Sequence, residues 1–159
     1  MKMSTAPGKL FFILPLALAI ILTSCTKNEN DVIPDEYVDF TMDLIYFINL
    51  YNVIGSDTVD ADDIRINYRR YAGGYDGNGI IIYSGAEGYY AYDRTCPHDF
   101  VESGASIKVN IDFTIATCPK CGTAYALAAY GTPSSGPGRY PLKNYRTSFD
   151  GRNLRVWNY

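Results

Sequence analysis

The chain has 159 residues, 47% of them hydrophobic and 19% charged, which is room for one globular domain and too little for two. Setting aside the first 24 residues, which contain Lys2 and Lys9 and no acid, leaves 12 basic and 17 acidic side chains, a net charge of about −5. A chain so acidic is a poor match for nucleic acid. The charge is also uneven. Ten acids and no base lie between Glu29 and Asp63, whereas six bases and only Asp150 lie from Lys120 onward. Such segments balance if the fold brings them together.

Taken in chain order, residues 1–24 read as an export signal. Lys2 and Lys9 precede a thirteen-residue apolar run, Leu10 to Leu22, short of the roughly 20 residues a spanning helix needs. The segment ends in LTSC, which resembles the lipobox of bacterial lipoproteins and implies lipidation at Cys25. The bland alternative is an ordinary signal in which that cysteine is incidental. Residues 25–36 are polar and acidic and have little to bury, so they are expected to form a flexible tether. They resemble the acidic stretches that follow the lipidated cysteine in Bacteroides-type lipoproteins. The expected location is therefore extracytoplasmic, anchored to a bacterial membrane on its periplasmic or cell-surface face.

From residue 37 to 159 short alternating runs dominate: YVDFTMDLIYFINL from Tyr37, IRINYRRY from Ile64, GIIIYSG from Gly79, YYAYDR from Tyr89, FTIAT from Phe113 and LRVWNY from Leu154. Tyrosine, isoleucine and valine in such runs favour half-buried strands. Turn signals separate them: GGYDGNG at 73–79, SGAEG at 84–88, SSGPG at 134–138 and the Asp150–Gly151 pair. AYALAAY at 124–130 follows a cysteine knuckle and stops at Gly131, so it is read as a strand. The fold class expected is all-β, small antiparallel sheets with little helix. The fifteen tyrosines suit partly wet strand faces, an aromatic carbohydrate platform being the less ordinary reading.

Two knuckles carry the chemistry. CPH, Cys96 to His98, is followed after nineteen residues by CPKCG, Cys118 to Gly122. Three thiols and an imidazole suit zinc or an iron–sulfur centre, and calcium poorly. If Cys25 is lipidated, three cysteines remain, an odd number for an oxidising compartment. His98 is the only histidine, so a two-histidine iron site cannot be built, and a Ser-His-Asp hydrolase would have to take its base from the knuckle.

CPH, the gap and CPKCGTAY together resemble the Rieske iron–sulfur family, whose pattern is C-x-H, a similar gap, then C-x-x-H-G-S-x-F or Y. The likeness extends to the strands of IIIYSGAEGYYAYDR and to the glycine-proline loop and closing hairpin of GTPSSGPGRYPLKNYRTSFDGRNLRV, covering roughly residues 75–156. It implies a Rieske-like small antiparallel β-sandwich with a two-loop metal-binding subdomain. It also implies a [2Fe–2S] cluster held by Cys96, His98, Cys118 and Cys121, with Thr123 and Tyr125 hydrogen-bonding the cluster sulfur or a thiolate. The chain departs from the pattern at Cys121, which stands where the second histidine belongs. A third thiolate adds negative charge, which is expected to lower the potential from the Rieske range of roughly −150 to +300 mV toward a plant-type value near −400 mV. The function implied is one-electron transfer to a partner redox protein, with no catalytic activity of its own. The competing reading from another class is a non-redox structural or binding lipoprotein of the same fold. Its site would hold zinc, stay empty, or close a Cys118–Cys121 disulfide. No twin-arginine pair, which exported cluster proteins of this family usually need, precedes Leu10.

Overall fold

The computed structural model describes residues 32–159. The expected signal segment, Cys25 and most of the expected tether lie outside the described residues. Near the start of the described residues Ile33 is buried, and its carbonyl accepts from Lys143 Nζ at 2.9 Å.

Among the described residues the fold is all-β, two antiparallel sheets and one short α-helix. β1 (Asp39–Asp43), β2 (Gly55–Val59), β3 (Ile66–Asn67), β4 (Ile80–Gly85) and β5 (Gly88–Asp93) come first. The helix α1 (Pro97–Ser103) follows, then β6 (Asn110–Asp112), β7 (Ile115–Thr117), β8 (Ala124–Ala126), β9 (Thr132–Ser135), β10 (Asn144–Phe149) and β11 (Asn153–Trp157). Seven strands form one sheet in the order β2-β4-β5-β10-β11-β1-β3, and β6-β7-β8-β9 form the second. Among the described residues no helix is long and apolar enough to cross a membrane.

β4 and β5 pair around the tight turn at SGAEG, with Ile82 opposite Ala91. The alternation of β4 feeds two cores: Ile80 and Ile82 pack with Phe40, Met42 and Val156, while Ile81 and Tyr83 pack with Tyr92, Tyr125 and Leu142. A strand buried on both faces reads as a continuous apolar run, as IIIY does. The second core also contains Cys96 and Cys118, so the small sheet and the cysteine loops share one packed interior.

Several expected strands are shorter than their runs. The run from Tyr37 gives up its strand at Asp43, whose side chain caps a 3-10 turn at Leu44–Tyr46 by accepting from the Ile45 N–H at 3.1 Å; a second turn covers Ile48–Leu50. IRINYRRY keeps only β3 before Tyr68 turns left-handed at φ 57°. AYALAAY is strand through Ala126, then a 3-10 turn at Leu127–Ala129. β2, β6 and β9 were not expected from their sequences, nor was α1, although Pro97 at its first position and Gly104 just past its end (φ 67°) are a helix's usual punctuation.

Candidate metal centre

Each knuckle is delivered by backbone that leaves a sheet. Beyond β5 the chain stays paired through Thr95 and Lys108, and the Cys96 N–H donates to the Ile107 carbonyl at 2.8 Å. This fixes Cys96 at the mouth of α1. The second knuckle joins β7 to β8. Cys118 N–H donates to the Thr123 carbonyl at 2.9 Å, Gly122 N–H returns to the Cys118 carbonyl at 3.0 Å, and Gly122 takes the left-handed φ of 75° that closes so tight a loop. Behind it, Gly138 N–H donates to Thr123 Oγ1 at 3.0 Å, tying the glycine-proline loop to the site.

The loops bring together Cys96, Cys118 and Cys121. Their sulfurs and one carboxylate oxygen of Asp99 all lie within 4.8 Å of one another. Cys96 Sγ and Cys121 Sγ are 3.7 Å apart, and the three cysteines are free thiols. Cys118 Sγ donates to Asp99 Oδ2 at 3.0 Å. Tyr125 Oη is 3.2 Å from Cys96 Sγ, and Cys121 Sγ donates to Thr123 Oγ1 at 3.2 Å. Backbone N–H groups also face the sulfurs: Thr123 toward Cys121, Asp99 toward Cys96, and Lys120 and Cys121 toward Cys118. Cys96, Asp99 and Cys118 are buried, and Cys121 is the half-open side.

Thr123 and Tyr125 thus each bring a hydroxyl to a cysteine sulfur. His98 does not join the group: it is half-buried on α1, and no atom of it is among the four clustered donors. Asp99 was missed. Once residues 97–103 are helical, Cys96 and Asp99 are three apart and share a face, while a residue two positions on does not. The Pro97 and Gly104 punctuation was the available signal.

Burial pushes the Cys118 thiol up, and the Asp99 carboxylate that accepts its proton pushes it further. Burial likewise raises Cys96 and Tyr125. Burial works against ionisation of Asp99 too, but donation from Cys118, Cys121, Cys96 and Lys120 outweighs it and holds the carboxyl below its usual range. Without a metal the site thus keeps Cys96 and Cys118 as neutral thiols beside one carboxylate, and a bound cation would displace their protons.

No family model matches the chain. No curated protein matches it either. Among solved structures it is similar to the ferredoxin of carbazole 1,9a-dioxygenase from Nocardioides aromaticivorans IC177, at 16% identity and a TM-score of 0.46 over 79% of this chain and 100% of that one. A Sphingomonas yanoikuyae B1 ferredoxin gives 15% and 0.43 over 70% and 94%. A chain from a complex of reduced oxygenase and oxidized ferredoxin in carbazole 1,9a-dioxygenase gives 17% and 0.41 over 67% and 82%.

Proposed function

We propose that this chain is a metal-centred one-electron carrier of Rieske-like type, anchored outside the cytoplasm through lipid at Cys25. The observation that carries the reading is the convergence of Cys96, Cys118 and Cys121 from two loops into one buried group. Thiol sulfurs suit an iron–sulfur centre, and the N–H and O–H groups aimed at them are what ligating thiolates accept. A [2Fe–2S] cluster bound there would supply reversible uptake of a single electron. The protein's own part is to keep water from Cys96 and Cys118, to spread thiolate charge into Tyr125 Oη and the backbone N–H groups, and to leave Cys121 as the exposed edge toward a partner redox protein. A carrier needs such a partner both to load and to unload it.

A second reading, a structural zinc, is favoured by the spacing. Tetrahedral thiolates at about 2.3 Å from a single ion stand about 3.8 Å apart, close to the 3.7 Å between Cys96 and Cys121. Iron, zinc and acid-labile sulfide assays with a visible spectrum, on untagged protein purified without oxygen, separate the two. Two irons and two sulfides per chain with visible absorption are expected of the carrier; a single zinc and a colourless protein would remove the redox function. Cys25→Ser is expected to move the protein from the membrane to the soluble fraction, and continued membrane residence would remove the anchor.

A further inference from the structure

We infer that the fourth ligand of the metal centre is Asp99, and that His98, the imidazole of the C-x-H motif, stays outside the coordination shell. The inference rests on the metal-centre reading above and concerns the ligand set, whichever thiolate-binding metal fills it.

Geometry distinguishes the two neighbours. A carboxylate oxygen of Asp99 belongs to the group of four donor atoms within 4.8 Å of one another, and no atom of His98 does. The carboxylate is also oriented for the task. Oδ2 faces the sulfurs, 3.0 Å from Cys118 Sγ, while Oδ1 is held by Lys120 Nζ at 3.3 Å. One oxygen is thus presented to the centre and the other is tied to the rim, the outer contact by which a ligating carboxylate is commonly fixed.

Burial gives the energetic reason. Asp99 is only 5% exposed, and its carboxylate is offset by weak S–H donors and one lysine that itself lies half in solvent. A cation at the centre of the four donors would place a full positive charge against a buried carboxylate oxygen that otherwise meets the Cys118 S–H. Three thiolates and a carboxylate oxygen remain a competent set for zinc or iron, both of which accept carboxylate alongside sulfur. The set contains no imidazole, so no histidine proton would couple to the metal's charge.

Cobalt(II) reads the ligand set directly, because its spin senses bound nitrogen and its visible bands report thiolate coordination. His98 is the only histidine, so any imidazole coupling in the untagged protein can come from nowhere else. The untagged full chain, freed of metal and reloaded with cobalt(II), is expected to show thiolate charge-transfer bands and no strongly coupled imidazole nitrogen by pulsed electron paramagnetic resonance. His98→Ala is expected to leave those bands and the retention of cobalt against a chelator unchanged. Asp99→Asn is expected to weaken retention by about tenfold or more, with Asp99→Cys restoring it, since a fresh thiolate replaces the lost ligand. A coupled imidazole nitrogen in the unaltered protein overturns the inference whether or not any variant folds, as does cobalt loss in His98→Ala or full retention in Asp99→Asn. Cobalt binding with an imidazole signal would refute Asp99 alone; failure to bind cobalt, zinc or iron at all would refute the metal centre itself.

Discussion

Asp93 shows how one side chain holds the approach to the site. It is fully enclosed and accepts from the Tyr75 and Thr95 N–H groups at 2.7 and 2.8 Å and from Tyr145 Oη at 2.7 Å. Thr95 immediately precedes Cys96, so the carboxylate sets the backbone that presents the first thiol. Asp93→Ala leaves three donors unpaired, each costing about 1–3 kcal/mol, and is expected to lower unfolding stability in urea by about 3 kcal/mol or more. Tyr145→Phe keeps the two backbone donors satisfied and is expected to cost about 1–2 kcal/mol. An unchanged urea midpoint for Asp93→Ala would show that the network is not rigid in solution. Tyr125→Phe tests the site instead. Loss of the hydroxyl beside Cys96 Sγ leaves more negative charge on that sulfur. In an iron-loaded protein this is expected to lower the potential by about 40 mV, the equivalent of about 1 kcal/mol for one electron. Cys96, Cys118, Cys121, Thr123 and Tyr125 were legible in the sequence because they sit in contiguous motifs. Asp99 was not, because its place beside the thiols depends on residues 97–103 being helical, and the C-x-H pattern drew attention to its neighbour.

At the scale of elements, a change of period marks what the sequence conceals. Val38, Phe40, Met42 and Leu44 are buried at every second position, and from there burial falls at Leu44, Phe47 and Leu50, every third. Period two is a strand and period three a 3-10 turn; reading the whole run as one strand missed the switch at Asp43 and left Ile45 and Ile48 exposed. β4 was legible because its apolar run lies between turn signals and fills both cores. β2 and β9 were not. GSDTV and TPSS lack the apolar faces that mark a strand, and they pair because β4 and β8 offer them open edges. β9 leads into the loop that backs the second knuckle. Gly136 has φ 86°, and a Cβ there would stand 2.6 Å from Thr123 Cα; at Gly138 it would stand 2.5 Å from Thr123 Cγ2. Gly136→Ala therefore meets both strain and a backbone collision. It is expected to cost about 1–3 kcal/mol and, by displacing Thr123 and the adjoining Cys121, to weaken metal retention. Thermal unfolding together with chelator competition checks this, and full retention of both would separate the loop from the site.

Across the whole molecule, the charge asymmetry of the sequence is resolved by strand pairing. β1 lies antiparallel to β11 with Thr41 opposite Arg155, so the acidic N-terminal segment meets the basic C-terminal one: Asp39 pairs with Arg155 and Asp43 with Arg152, while Lys143 reaches Asp35. Most of these pairs are solvent-exposed and contribute little each. They hold Asp39 and Asp43 below the ordinary carboxylate range through hydrogen bonds from their arginines, which places their stabilisation above about pH 4 and removes it on further acidification. The alkaline side is governed by the interior. Tyr92, Tyr125, Tyr145, Cys96 and Cys118 are all raised, in each case first by burial. A group raised in the folded state favours folding fully below its unfolded value, and that contribution is lost as pH climbs toward the folded one. Thiols in an unfolded chain ionise from about pH 8.5 and tyrosines from about pH 10. Metal-free protein is therefore expected to hold a constant urea midpoint through neutrality, to weaken from about pH 8.5, and to weaken more steeply above about pH 10. Metal-loaded protein has already given up its thiol protons, so the first decline should vanish and only the tyrosine decline remain. Identical alkaline profiles with and without metal would mean that Cys96 and Cys118 are not the groups the metal deprotonates, and the centre would have to be sought elsewhere in the chain.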